Sequence, residues 1–170
     1  MATFTPHGGK PDGGPPVTGQ PVGGLPLPHA VTVFVGNFGS GKTEIAINYA
    51  LLLAGQGERV RLVDIDLVNP YFRSREARAY MQAHGVEVVA PTGEYAFADL
   101  PIMLAEVGGA LRSSPGRVVF DVGGDDLGAR VLGGFATLLV EAKAAVLQVV
   151  NARRPFTDSL AGCRQMYDEL

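Results

Sequence analysis

Cysteine is almost absent from this 170-residue chain. Cys163 stands alone, so no internal disulfide can form, and a reducing, cytoplasmic setting is expected. Histidine is scarce too. His7, His29 and His84 share no ligand-like spacing, which argues against a zinc site. There is no basic excess: the formal net charge is −3, so nothing electrostatic favours broad nucleic-acid binding. No apolar run reaches the length of a membrane span, because Glu141 and Lys143 interrupt the longest one. The N-terminus lacks the charged-then-apolar order of a secretory signal. Residues 1–28 have few apolar side chains and are dominated by Gly and Pro, so they are expected to form a disordered tail. What remains, residues 29–170, is enough for one domain with a real core, and 46% of the whole chain is apolar.

Within that domain the most informative stretch is Gly36-Asn37-Phe38-Gly39-Ser40-Gly41-Lys42-Thr43. It fits G-x-x-x-x-G-K-[ST] at every fixed position. An apolar run, residues 30–35, leads into it as a buried strand, and a helical pattern over 44–54 follows. Strand, glycine loop and helix are the context a phosphate-binding loop requires. The glycines let successive N–H groups converge on phosphate oxygens, and the helix N-terminus adds partial positive charge. Lys42 can reach the outer phosphates, and Thr43 can place its hydroxyl on a magnesium ion.

Beyond the loop, apolar runs alternate with helical patterns. Strands are expected over 60–64, 86–89, 117–121 and 145–150. Helices are expected over 73–84, 98–111, 127–142 (weakened by Gly133-Gly134) and 157–170, the last capped by Thr157 or Asp158. This alternation predicts an α/β fold with a parallel sheet and helices on both faces. Ligands of such sheets gather at the carboxyl ends of the strands, where every polar cluster of this chain falls.

Two of those clusters suit the second half of a phosphate site. Asp121, at the end of the fourth strand, can hold magnesium, and Gly124, with no side chain to block approach, can offer its N–H to the last phosphate. Asp66 can position a water or substrate group. Asp64 reads as a strand-end or turn residue whose carboxylate meets solvent. Arg73 and Arg75 suit either a charge-stabilising role or a solvated helix face beside Glu76. Arg130 and Arg153 carry the same two readings, with the surface role favoured, and Cys163 reads as core or surface rather than a nucleophile.

Together, Gly36–Thr43, Asp64-x-Asp66 and Asp121-x-x-Gly124 resemble the MinD/ParA and CobQ/CobB group of P-loop proteins, of the SIMIBI type. Val-Asp-Ile-Asp-Leu-Val-Asn-Pro-Tyr-Phe-Arg-Ser-Arg-Glu (63–76), Asp-Val-Gly-Gly-Asp-Asp-Leu-Gly-Ala-Arg (121–130) and Val-Asn-Ala-Arg-Arg-Pro-Phe-Thr (150–157) are similar to a bacterial subfamily of ATP-binding proteins within it. The resemblance covers residues 31–170. It implies ATP and Mg2+ as cofactors, with the whole loop and Gly124 on the nucleotide, Lys42 and Asp66 as catalytic residues, and Thr43 and Asp121 at the metal. Asn37 stands where many members carry a second lysine that reaches across a dimer. Members also continue with a further strand whose loop touches the base, so the domain is expected to be C-terminally truncated at Leu170. Asn151-Ala152-Arg153-Arg154 does not supply the Asn-Lys-x-Asp guanine reader.

Three functional classes follow: a slow ATPase acting as a nucleotide-dependent switch, an ATP-dependent carboxylate-activating (amidoligase-type) enzyme, and a non-catalytic nucleotide-binding module. The absence of a separate substrate domain favours the first over the second. Intact Lys42, Thr43 and Asp121 favour it over the third. The expected partners are the nucleotide and a second copy or another protein, with no nucleic acid or membrane.

Overall fold

The computed structural model describes residues 29–66, 75–90, 101, 105–109, 116–124 and 126–168. The expected tail, Arg73, the side chain of Arg75 and most of the expected 98–111 helix lie outside the described residues; 105–109 are helical.

Five strands form one parallel sheet: β1 (Val31–Val35), β2 (Val60–Ile65), β3 (Val86–Val89), β4 (Arg117–Val122) and β5 (Ala145–Gln148), in the spatial order β3-β2-β4-β1-β5. The helices are α1 (Lys42–Gly55), α2 (Arg75–Ala83), α3 (Asp126–Gly134), α4 (Ala136–Glu141) and α5 (Leu160–Asp168). The α/β expectation, with a parallel sheet and helices on both faces, therefore holds.

The central strands are mostly apolar because both sheet faces are covered, and their buried carboxylates, Asp64 and Asp121, lie toward the carboxyl ends. On one face Phe34, Leu62 and Val119 pack with Ala46, Ile47, Ala50 and Leu53 of α1 and Met81 of α2. The Phe34 and Tyr49 rings meet edge-to-face at 5.6 Å, which fixes α1 directly behind the first loop. On the other face Val33, Val63 and Phe120 pack with Val131, Phe135 and Leu139. There the rings of Phe120 and Phe135 meet at 5.3 Å.

Three details differ from the sequence reading. The 127–142 helix is two helices, broken at Phe135 just beyond Gly133-Gly134, and the break delivers that fully buried ring to the core. Neither Thr157 nor Asp158 caps the last helix. Ser159 does: its Oγ accepts the Gly162 N–H at 3.2 Å, and its carbonyl accepts the Cys163 N–H at 3.0 Å. The last strand ends at Gln148 rather than Val150, although the Val149 N–H still donates to the Val35 carbonyl at 2.7 Å.

All five strands run the same way, so their carboxyl ends share one edge of the sheet. The described segments after β1, β4 and β5 lie there, with Asp66 at the end of β2. No described helix is long and apolar enough to cross a membrane.

Candidate functional site

The Gly36–Thr43 loop leaves the carboxyl end of β1, flanked by β4 on one side and β5 on the other. Its turn closes through the Ser40 N–H, which donates to the Asn37 carbonyl at 3.1 Å. Gly39 and Gly41 adopt φ of 72° and 96°, a region side-chain-bearing residues rarely enter. Gly41 is also the N-cap of α1, and no side chain caps this helix. Its first-turn N–H groups are left to an external acceptor, which is the arrangement that binds anions.

Lys42 and Thr43 open α1 beneath this turn. Lys42 is 6% exposed, with Nζ 3.4 Å from the Asn37 carbonyl in its own loop. At that distance the bond is weak, so the ammonium is still able to take an anionic partner. Phe38 points outward and is 72% exposed.

Strand register brings the carboxylates to the same place. Asp64 on β2 and Asp121 on β4 are paired neighbours, and Phe34 on β1 is the next partner of Asp121. All three share the sheet face that carries α1. Asp121 is 1% exposed, and among the described residues neither of its carboxylate oxygens completes a hydrogen bond. Burial pushes its pKa up from 3.8 to about 6. The nearby Thr43 hydroxyl and Lys42 ammonium pull in the opposite direction, and the Asp66 carboxylate adds to the rise. Thr43, Lys42 and Asp66 thus all lie within electrostatic reach of Asp121.

Asp64 corrects the sequence reading. Its carboxylate does not meet solvent: the residue is fully buried, and Oδ1 accepts the Asp66 N–H at 3.0 Å. That bond turns the chain at the end of β2 and leaves Asp66 half-buried at the rim. The role of Asp64 is to shape this turn. The turn was legible in the sequence but the burial was not, because a strand-end aspartate looks the same whether it faces water or a neighbouring backbone.

Gly124 approaches the loop more closely than any larger residue could. A Cβ there would stand 2.5 Å from the Phe38 nitrogen and 2.8 Å from the Asn37 carbonyl carbon. The β4 end is therefore laid directly on the loop backbone. Arg130 and Arg153 are exposed, as expected, and Cys163 is half-buried with Sγ against the Thr157 carbonyl at 3.4 Å.

A magnesium ion fits this donor set. No group of three or more His, Cys, Asp and Glu gathers among the described residues, so an all-protein cage is not on offer there. A buried carboxylate with unmet oxygens beside a hydroxyl suits a hard cation that completes its shell with phosphate and water.

The chain matches no protein-family model and no curated protein. Among solved structures it is similar to a nucleotide-binding protein from Archaeoglobus fulgidus, in complex with ADP and with Co, at a TM-score of 0.46 and 18% identity. The match covers 82% of this chain and 63% of that one, so the chain spans less than two thirds of that protein. So distant a likeness assigns no residue, and the site stands on its own geometry.

Proposed function

We propose that this chain binds ATP with magnesium at the Gly36–Thr43 loop and hydrolyses it slowly, as a nucleotide-dependent switch. One observation carries the reading. An uncapped helix N-terminus and a half-engaged lysine face a buried aspartate that completes no hydrogen bond among the described residues, with the Thr43 hydroxyl close to it. Loop amides and Lys42 would take the β- and γ-phosphates, while Thr43 and Asp121 would hold the metal. Magnesium would neutralise charge developing on the phosphates. Gly124 would turn its N–H to the last phosphate, and Asp66 would orient the attacking water. The resemblance to the MinD/ParA and CobQ/CobB group supports the same assignment. The segment after β4, laid on the loop at Gly124, is then an element that ligand binding holds and hydrolysis releases, for a second copy or another protein to read.

Calorimetry with Mg-ATP tests the reading. Lys42→Ala removes the only loop cation and should weaken binding at least tenfold, because a hydrogen bond to a charged group is worth about 1.5–3 kcal/mol. Equal affinity for the two proteins would refute nucleotide binding at this loop.

A further inference from the structure

Arg154 acquires a place that the sequence did not suggest. Because β5 lies beside β1, the segment after β5 runs against the loop after β1. The two are packed together at their roots, where a Cβ on Gly36 would clash with the Val149 carbonyl. The segment itself is fixed from within. Buried Thr157 donates through Oγ1 to the Asn151 carbonyl at 2.7 Å. The Thr157 N–H donates to the Arg154 carbonyl, and the Arg154 N–H to the Asn151 carbonyl, both at 3.0 Å.

This framework rests the Arg154 guanidinium on Gly39. A Cβ on Gly39 would stand 2.8 Å from Cζ and 3.3 Å from Nε of the arginine. Among the described residues that guanidinium makes no ion pair and no side-chain hydrogen bond. A cavity of about 250 Å3 opens beside it, between Asn37, Phe38 and Ser40 of the loop and Asn151 and Phe156 of the opposing segment.

We propose that Arg154 is a second phosphate-binding cation of this site, donating from the β5 side of the loop while Lys42 serves the β4 side. The planar fork of a guanidinium matches phosphate oxygens, and it is less strongly hydrated than an ammonium. Here its donors have no acceptor among the described residues to give up. A purely space-filling contact on Gly39 would need no charge at all. The assignment rests on the nucleotide reading of the loop, and it adds a residue to which that reading gave no role.

The test is titration of the full chain with two probes, Mg-ATP and inorganic tripolyphosphate, which carries the phosphates without a base. Arg154→Met keeps bulk and removes charge, Arg154→Gln keeps hydrogen bonding, and Arg154→Lys keeps charge. Met and Gln should weaken both probes by about tenfold to a hundredfold, with partial recovery in Lys. The wild type should also lose affinity with added salt more steeply than the Met variant. Unliganded melting temperatures show whether each variant folds. Unchanged tripolyphosphate affinity in Met and Gln would overturn the proposal, and a loss confined to Mg-ATP would move Arg154 to the base or ribose. Lys42→Ala separates the two layers. If it leaves Mg-ATP binding intact, the nucleotide reading fails. If it weakens binding and the Arg154 variants do not, the Arg154 assignment alone fails.

Discussion

Asp121 is buried without completing a hydrogen bond, and such a group has a cost that depends on pH. Its folded pKa is raised from 3.8 to about 6. The folded state therefore binds the proton more tightly than the unfolded chain between those values. Stability from this group is highest below about pH 4, falls as pH rises through the window up to 6, and stays low above it. At most about 3 kcal/mol is at stake across that window, at about 1.36 kcal/mol per pH unit. Asp121→Asn should therefore raise the metal-free stability at pH 7.5 by about 1–3 kcal/mol and flatten its decline between pH 4 and 6. Urea unfolding at several pH values without magnesium measures both effects. A variant less stable than wild type at pH 7.5 would show that the carboxylate is satisfied in solution. Asp66 is a contrasting case. It stands at the rim, half-buried, near Asp121 but outside the loop. Asp66→Asn should leave Mg-ATP affinity intact and lower turnover by about two orders of magnitude, the scale of a positioned acid–base group. Loss of binding as well would make it a metal ligand, and unchanged turnover would leave it as a turn residue.

At the scale of elements, the site exists because the end of β4 lies on the loop after β1. Gly124 permits this, and the atoms a Cβ would meet are backbone atoms of Gly36, Asn37 and Phe38, which cannot swing aside. Gly124→Ala should force the two segments apart, costing about 1–3 kcal/mol of stability. Mg-ATP affinity should fall with it, while a control such as Gly133→Ala, whose Cβ would meet nothing within 4 Å, spares binding. An alanine variant at 124 with wild-type unfolding and affinity would mean that the loops sit farther apart than this geometry has them. The same close approach marks what the sequence could reveal. A motif whose spacing is itself the chemistry, such as Gly36–Thr43, is legible because its residues act through their own backbone. Alternation of apolar runs with helical periods likewise announced the parallel sheet. Contacts between distant segments were not legible. Nothing in the 117–130 stretch says which strand lies beside β4, so the burial of Asp64 and the seat of Arg154 on Gly39 emerge only with the order β3-β2-β4-β1-β5. Ends of elements were misplaced for a local reason: Thr157, Asp158 and Ser159 are all good caps, and Thr157 is already committed to the Asn151 carbonyl.

For the whole molecule, that strand order has a second consequence. β5 is apolar enough for a sheet interior, yet among the described residues it pairs with β1 alone. Val146 is 57% exposed on this strand, and Val140 on the preceding helix is 77% exposed. A strand with one unpaired side and an exposed apolar residue is a template for another strand, and proteins commonly blunt such edges with charge. None of Ala145, Val146, Leu147 and Gln148 is charged. The chain in isolation should therefore self-associate with rising concentration. Val146→Lys places a charge on the open edge, far in sequence from the loop, from Lys42 and from Asp121. It should shift light scattering toward the monomer while leaving Mg-ATP affinity within about twofold, since substitutions away from buried contacts usually change little. Scattering that shows a wild-type monomer at every concentration would mean that the β5 edge is covered in solution. Association that persists unchanged in the lysine variant would place the contact elsewhere on the molecule.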